Sequence, residues 1–345
     1  MSYHILHLLS QNLRVRLKLD QLHITDADKD SERTVPLSDV AVIVSAAQDM
    51  SITAGALRRM AELNILMIVC NEKFEPCALT VPYYRATNTE LLRRQIEWTP
   101  EWKEQMWRQV IAAKIRNQAA NLRNLKQDAS IMEEIALRCE NHKIKTVPQH
   151  SSKNGIDMQQ DAKIGNKISL ARLTASKRTA FLSDSPDACE SRAARRYWRQ
   201  ILPHLIKIQG SEEKRRIPRT GEGVNGMLDY GYAIIRTAVL RSLAAHGFIA
   251  AIGIAHMPKA GSFALADDLV EPLRPWVDRE LCRFLQKGRR PMGDWMRQAV
   301  GVLQLEIKMH KNKLRLLNAI DLYVQSFSTA TLLRTSPPLT IPMLP

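Results

Sequence analysis

The sequence lacks the features that mark a membrane protein, a disulfide-stapled protein or a small zinc domain. Its five cysteines lie apart, at positions 70, 77, 139, 189 and 282, and none are spaced as CxxC or as zinc-finger ligands. Scattered cysteines in odd number indicate free thiols and a reducing cytoplasm. No apolar run approaches the roughly 20 residues that span a bilayer. The segment MSYHILHLLSQNLRVR has neither a basic start nor a cleavage site, so we expect no signal peptide.

The sequence also has fewer acidic than basic residues. The chain has 50 Lys and Arg against 35 Asp and Glu, a formal net charge of +15 and a sequence pI near 9.8. This balance favours an acidic partner, of which nucleic acid is the commonest, although good solubility alone would also explain it. At 345 residues the chain is long enough for two domains with cores of their own.

The first 85 residues predict a β-rich domain. Apolar and charged residues alternate over 13–20, which is typical of a half-buried strand, and the apolar runs 40–44 and 65–69 indicate buried strands. Between them, 53–63 has helical spacing, with Thr53 or Ser51 as a cap and Asn64 as a stop. Pro82-Tyr83-Tyr84 is expected to close this domain.

From residue 86 the pattern becomes helical. Thr99-Pro100 predicts a helix start, and Trp98, Trp102 and Trp107 have spacings that favour core packing over stacking on nucleic acid. The fold class is therefore α+β, with a β-rich domain (1–85), a larger all-α domain (86–327) and a proline-rich tail (328–345). The tail is predicted to lack helix, as either a disordered end or an extended partner-binding segment.

A basic stretch, 142–182, interrupts the helical pattern. It contains eight Lys or Arg and two Asp, with little apolar periodicity. Such a composition fits a basic arm that contacts a DNA backbone and equally fits a solvated linker.

The candidate site residues lie on both sides of a long apolar helix. Glu190 precedes it, and His256, Asp268 and Glu271 follow it. Taken singly, each has a structural explanation: a surface ion pair for Glu190, a buried hydrogen bond for His256, helix caps for the acids. Taken together, carboxylates and a neutral imidazole form a ligand set for Mg²⁺ or Mn²⁺, which phosphoryl-transfer chemistry requires.

Three ordered motifs resemble the integrase family of CRISPR adaptation. They are ESRAARRYW at 190–198, NGMLDYGYAIIRTAVLRSLAAHGF at 225–248, and IGIAH at 252–256 followed by SFALADDLVEPLRPWVD at 262–278. The resemblance implies a β-rich dimerisation domain before a helical catalytic domain. One difference is Asp229, which stands where the family usually has asparagine, and its effect on DNA binding is open.

By this resemblance, Glu190, His256 and Glu271 are expected to bind the metal. Asp268 is expected to support the site, so the catalytic set is Glu190, His256, Asp268 and Glu271. Asp267 is interpreted as an additional helix-capping acid. Arg274 is interpreted as a structural or phosphate-side contact.

The family's activity implies a metal-dependent DNA endonuclease and integrase of antiviral defence. Such enzymes insert short spacers into a CRISPR array by direct attack of a 3′-hydroxyl, without a covalent enzyme intermediate. The expected partners are double-stranded and branched DNA, a second copy of the chain and a small dimeric subunit, with no membrane. A neutral His256 ligand implies that activity falls as the pH drops through about 6.5. The alternatives are a transposon-linked integrase of the same superfamily and a non-catalytic DNA-architectural subunit.

Overall fold

The computed structural model describes residues 4–71, 76–80, 88–141, 184–218, 222–256, 263–309 and 312–345. The expected boundary at Pro82-Tyr83-Tyr84 and the basic stretch 142–182 lie outside these ranges. Within them, a strand-rich region precedes a mainly helical one, which confirms the predicted α+β class.

The N-terminal region contains two four-stranded sheets. The strands are β1 (His4–Leu8), β2 (Leu13–Lys18), β3 (Gln21–Asp26), β4 (Ser31–Pro36), β5 (Val40–Ser45), β6 (Met50–Ile52), β7 (Leu66–Cys70) and β8 (Pro76–Thr80). The first sheet has the order β1-β5-β7-β8. Strands β1, β5 and β7 run parallel, and β8 pairs antiparallel with β7. The second has the order β4-β3-β2-β6. Helix α1 (Ala54–Glu62) connects β6 to β7, and Thr53 caps it as predicted.

Strand β5 is shared by two hydrophobic cores. Because successive side chains of a strand point to opposite faces, Val42 and Val44 pack into the core of the helical region. Ile43, between them, packs into the N-terminal core with Val15 and Ile24 of the second sheet. All six residues of β5 are buried, which explains why its sequence is apolar without alternation.

The helical region is built around α3, a 25-residue helix. The helices are α2 (Thr89–Ile96), α3 (Pro100–Asn124), α4 (Ser130–Asn141), α5 (Pro186–Gln209), α6 (Gly223–His246), α7 (Ala264–Leu269), α8 (Arg274–Leu285), α9 (Met292–Ala299) and α10 (Leu316–Leu333). Short 3₁₀ turns cover Leu37–Asp39, Glu271–Leu273 and Val300–Gln304. The predicted cap Thr99 accepts a backbone hydrogen bond at 3.2 Å, and Ser185 caps α5 with a hydrogen bond of 3.3 Å. Trp102 and Trp107 are buried in the core, as predicted.

A β-hairpin departs from the prediction of an all-α domain over 86–327. It consists of β9 (Glu306–Met309) and β10 (Asn312–Arg315), paired antiparallel. Ile307 and Met309 are buried, whereas the intervening Lys308 is exposed, so the apolar period here is two rather than 3.6.

The tail is neither free of helix nor without contacts. The prediction of no helix from residue 328 is wrong for 328–333, which continue α10. The following extended segment lies along α3, where Trp102 Nε1 donates to the Thr335 carbonyl at 2.8 Å. Further along, Leu344 is buried and its N–H donates to Asn117 Oδ1 at 2.8 Å.

None of the helices in the described part of the chain combines the length and the apolar character that a bilayer crossing requires.

Candidate metal centre

Helices α3 and α5 bring Lys114 and Glu190 together. Lys114 Nζ lies 2.5 Å from Glu190 Oε1. Seven residues further along both helices, Asn121 Nδ2 donates to Tyr197 Oη at 3.0 Å. Because the contacts advance by the same number of residues, the two helices run parallel, and a polar seam lies between them. Glu190, near the start of α5, is thereby held against the middle of α3.

Asp268 holds His256 at the next corner of the site. Its carboxylate is fully buried, and Oδ2 accepts from the backbone N–H groups of Ile254 and Ala255 at 2.6 and 3.1 Å. The other oxygen, Oδ1, accepts from His256 N at 3.1 Å and bonds His256 Nδ1 at 2.5 Å. With Nδ1–H directed at Asp268, Nε2 is the nitrogen left to bind a metal.

The hydrogen bond with Asp268 raises the pKa of His256 above its usual value, against an opposing effect of burial. In the absence of a metal the imidazole therefore takes up a proton more readily than an isolated histidine does.

Gly253 is required for this arrangement. A Cβ atom at this position would lie 2.6 Å from Asp268 Oδ2 and 3.0 Å from Ala264 Cβ. Since only glycine lets the backbone approach the carboxylate this closely, the G-x-x-H spacing has a direct structural reason.

Glu271 opens the 3₁₀ turn after α7 and is almost fully buried. Arg274 Nη2 donates to its Oε1 at 2.9 Å, and Lys114 Nζ lies 2.5 Å from its Oε2. Burial alone would raise the pKa of Glu271, but the charges of Arg274 and Lys114 outweigh it, and the pKa is lowered. Burial would likewise lower the pKa of Lys114, but Glu271 and Glu190 outweigh it, and the pKa is raised. The buried group is therefore ionised at neutral pH.

The four candidate residues share one neighbourhood. The charges of Glu271 and Glu190 both contribute to the raised pKa of His256, which is itself hydrogen-bonded to Asp268. In the described part of the chain, however, no three His, Cys, Asp or Glu side chains are grouped closely enough to hold a metal ion. The space between Glu190 and Glu271 is taken by the Lys114 ammonium.

The chemistry of the donor atoms nevertheless suits a divalent metal. Glu271 Oε2 is buried and has no aligned hydrogen bond, although the Lys114 ammonium lies close to it. Two carboxylates and one imidazole suit Mg²⁺ or Mn²⁺ in chemistry. The residues present are therefore compatible with the metal expected from the sequence, once the ammonium vacates the space.

A further buried acid, Asp278, lies next to the site. Asp278 accepts hydrogen bonds from the hydroxyls of Tyr197, at 2.7 Å, and Tyr232. Burial raises its pKa to about 6, although both hydroxyls lower it. The Arg274 guanidinium, which binds Glu271, lies 5.0 Å from the centroid of the Tyr232 ring. This cluster connects α5, α6 and α8 next to the candidate residues Glu190 and Glu271.

The contacts of Asp267 and Arg274 bear on the roles expected for them. Asp267 makes no capping hydrogen bond; it binds Arg236 of α6 at 2.6 and 3.1 Å, so its assignment as a cap is wrong. Arg274 contacts Glu271 and Tyr232, in agreement with a structural role.

Asp229, the difference from the family pattern, binds Arg216. This contact attaches the basic loop that contains Lys214, Arg215 and Arg216 to α6. Asn225 reinforces this loop, because its Oδ1 accepts from Arg216 Nη1 and from Ile217 N, both at 3.0 Å.

Sequence reasoning missed two residues of α3. Lys114 joins the two acids, and Asn117 Nδ2 donates to the Pro272 carbonyl, beside Glu271, at 2.7 Å. With Gln118 and Asn121 they form a buried polar stripe at helical spacing. This spacing could have identified Lys114 and Asn117 in the sequence, because buried polar residues on one helix face require hydrogen-bonding partners.

Known proteins resemble the chain over nearly its whole length. The family model described as CRISPR associated protein Cas1 matches residues 6–317. A CRISPR-associated endonuclease Cas1 of Neisseria meningitidis serogroup C (strain 8013) is 26% identical over 331 residues, 95% of this chain and 92% of the relative.

Solved structures show the same fold at lower identity. A casposase bound to an integration product has a TM-score of 0.73 at 15% identity, covering 98% of this chain and 92% of the casposase chain. A chain of a Cas6-RT-Cas1–Cas2 complex has a TM-score of 0.67 at 17% identity, covering 99% of this chain and 36% of that chain.

Proposed function

Because the chain belongs to the CRISPR-associated Cas1 family, we propose that it is a metal-dependent DNA integrase of CRISPR adaptation. In this proposal it joins the 3′-hydroxyl ends of a short DNA to the repeat array by direct transesterification. The observation that carries the proposal is the meeting of Glu190 and Glu271 around one cation, with His256 held beside them by Asp268.

Glu190, Glu271 and His256 Nε2 would hold Mg²⁺ or Mn²⁺. When bound, the metal supplies neutralisation of charge on the target phosphate and stabilisation of the leaving 3′-oxygen. Asp268 keeps the His256 ring oriented and its Nδ1 protonated, so that Nε2 faces the metal as a neutral ligand. Arg274 keeps Glu271 ionised within the core. Attack by a DNA hydroxyl needs no protein nucleophile, so neither Ser nor Tyr is assigned that role.

The proposed partners follow from the family and the charge. The net charge of +15 suits a DNA backbone, and one structural neighbour was captured with an integration product. Another belongs to a Cas1–Cas2 complex, which supports a small dimeric subunit as partner. A homodimer formed through the N-terminal sheets and a cytoplasmic location are parts of the same proposal.

Strand transfer on a branched DNA that mimics a half-integrated product tests this function. We expect transfer with Mn²⁺ or Mg²⁺, none with EDTA, and none from His256→Ala or Glu190→Ala, although both variants still bind DNA. Glu140→Ala is the matched control, because it removes a surface acid that pairs with Arg116. DNA binding without metal-dependent transfer, even with the partner subunit added, would favour the architectural alternative.

The transposon-linked alternative uses the same chemistry and differs in its target. A preference for CRISPR repeat DNA over transposon target DNA in the same assay supports the adaptation function. The opposite preference supports a transposon integrase.

A further inference from the structure

The Lys114 ammonium lies between two of the proposed metal ligands. It is 2.5 Å from Glu190 Oε1 and 2.5 Å from Glu271 Oε2. Since one nitrogen touches both oxygens, these oxygens are no more than about 5 Å apart. A lysine that is only 7% exposed and has two acidic partners is held in place by their charges.

The ammonium and a divalent ion cannot both use this space. Two cations bound to the same pair of oxygens would lie within a few ångströms of each other and repel strongly in a buried site. Without any cation in this space, the two carboxylates would repel each other, although Arg274 still binds the other oxygen of Glu271. Either the ammonium or a metal ion relieves this repulsion.

We propose that Lys114 is the resident counter-ion of the metal-free centre and that metal binding displaces it. This inference rests on the proposed metal-dependent function. The ammonium holds Glu190 and Glu271 close together before the metal binds. Its four-carbon chain is flexible, so the ammonium can leave the acids without movement of α3. The two acids are thus already close together when the metal binds. Their affinity for the metal is lowered, because the metal must replace an existing ion pair.

This exchange predicts that a neutral side chain at 114 binds metal more tightly but folds less stably without it. We expect Lys114→Met to bind Mn²⁺ about tenfold more tightly than the wild type, measured by the electron paramagnetic resonance of free Mn²⁺. In EDTA its Tm should fall by several degrees, because Glu190 and the buried Glu271 lose the ammonium that lies between them. Mn²⁺ should then raise the Tm of the variant by more than it raises that of the wild type.

Two further variants sharpen the test. Lys114→Arg keeps a cation that can bind both carboxylates, so it should bind Mn²⁺ no more tightly than the wild type. Arg108→Met removes another buried cation from α3, one that pairs with Glu104, and should leave Mn²⁺ affinity unchanged while lowering Tm equally in EDTA and in Mn²⁺.

Each outcome decides between the two proposals. Equal or weaker Mn²⁺ affinity in Lys114→Met overturns the exchange and leaves the metal-dependent function standing. If Lys114→Met does not fold, tighter binding by Lys114→Arg overturns it instead. Absence of Mn²⁺ binding in every protein, wild type included, overturns the metal-dependent function and the exchange with it.

Discussion

Asp268 shows how one buried carboxylate can organise the loop that carries a candidate metal ligand, His256. It accepts hydrogen bonds from the backbone N–H groups of Ile254, Ala255 and His256 and is also hydrogen-bonded to the His256 ring. The carboxylate thus fixes both the path of the loop and the orientation of its imidazole. The sequence motif identified Asp268 as a supporting acid, but the backbone contacts could not be predicted, because they depend on α7 packing against Gly253.

Asp268→Asn should weaken metal binding without unfolding the chain. An amide has one acceptor oxygen, so some of the backbone contacts and the orientation of His256 are lost. We expect a 10- to 100-fold loss of Mn²⁺ affinity and of strand transfer, the range typical of such supporting groups. Asp267→Asn, which weakens the ion pair with Arg236, is the control. Equal Mn²⁺ affinity in the two variants would contradict a positioning role for Asp268.

Asp278 should make stability depend on pH between about 4 and 6. Its pKa is raised from 3.8 to about 6 in the folded chain, chiefly by burial, so the folded state binds its proton more tightly than the unfolded state. The stability this gives is present below pH 3.8 and is lost as the pH rises through 6. A shift of this size corresponds to about 3 kcal/mol at most.

The check is urea unfolding of the wild type and Asp278→Asn at several pH values. The asparagine variant should gain stability relative to the wild type as the pH rises from 4 to 7. A difference that stays constant over this range would show that Asp278 does not titrate there.

At the scale of elements, helix α3 carries more of the site than its sequence indicated. Its tryptophans, Trp102 and Trp107, were predicted as core. The polar stripe formed by Lys114, Asn117, Gln118 and Asn121 was not identified. The partners of this stripe come from α5, the 3₁₀ turn after α7, α8 and the tail. They are 70 or more residues away in sequence, so periodicity within α3 could not reveal them.

The contacts of the tail are the hardest to predict, because a proline-rich sequence does not indicate which groups its backbone will bind. Asn117 joins it to the site: Nδ2 donates to the carbonyls of Pro272 and Pro342, and Oδ1 accepts from Leu344 N. One side chain therefore couples the tail to the turn that carries Glu271.

Removing residues 338–345 should lower both stability and strand transfer. The deletion takes away two of the three Asn117 contacts and exposes apolar surface that Leu344 covers. We expect a Tm lower by several degrees and a severalfold loss of activity. A peptide of residues 336–345, added in excess, should restore part of both.

Gln109→Ala is the matched control for this deletion, since Gln109 bonds Pro337 and Leu339 of the tail but has no hydrogen bond to the Pro272 turn. It should lower Tm with little change in strand transfer. An unaltered transfer rate in the truncated protein would show that the tail does not position the turn.

At the scale of the whole molecule, the shared sheet couples the N-terminal region to the helical one. The sequence predicted both regions and the buried strands 40–44 and 65–69, which confirms that apolar runs identify strands covered on two sides. Which residues face which core could not be predicted, because that depends on how the helices pack against the sheet. In the structure, Val44 faces the helices and Ile43 faces the second sheet.

The six tryptophans provide a probe of this coupling, because all of them lie at position 98 or later. Ile43→Ala empties a site in the N-terminal core and should cost about 2–5 kcal/mol. If the sheet joins the two regions into one cooperative unit, the melting temperature reported by tryptophan fluorescence should fall by several degrees, although the substitution is in a region without tryptophan.

Circular dichroism should then give the same midpoint as the fluorescence. Ile24→Ala, on the second sheet, should shift both signals by a similar amount, since Ile24 belongs to the same core. A fluorescence midpoint that stays at the wild-type temperature while circular dichroism detects earlier melting would mean that the N-terminal region unfolds independently. In that case the strand shared by the two cores would not transmit stability to the helices that hold Lys114, Glu190 and Glu271.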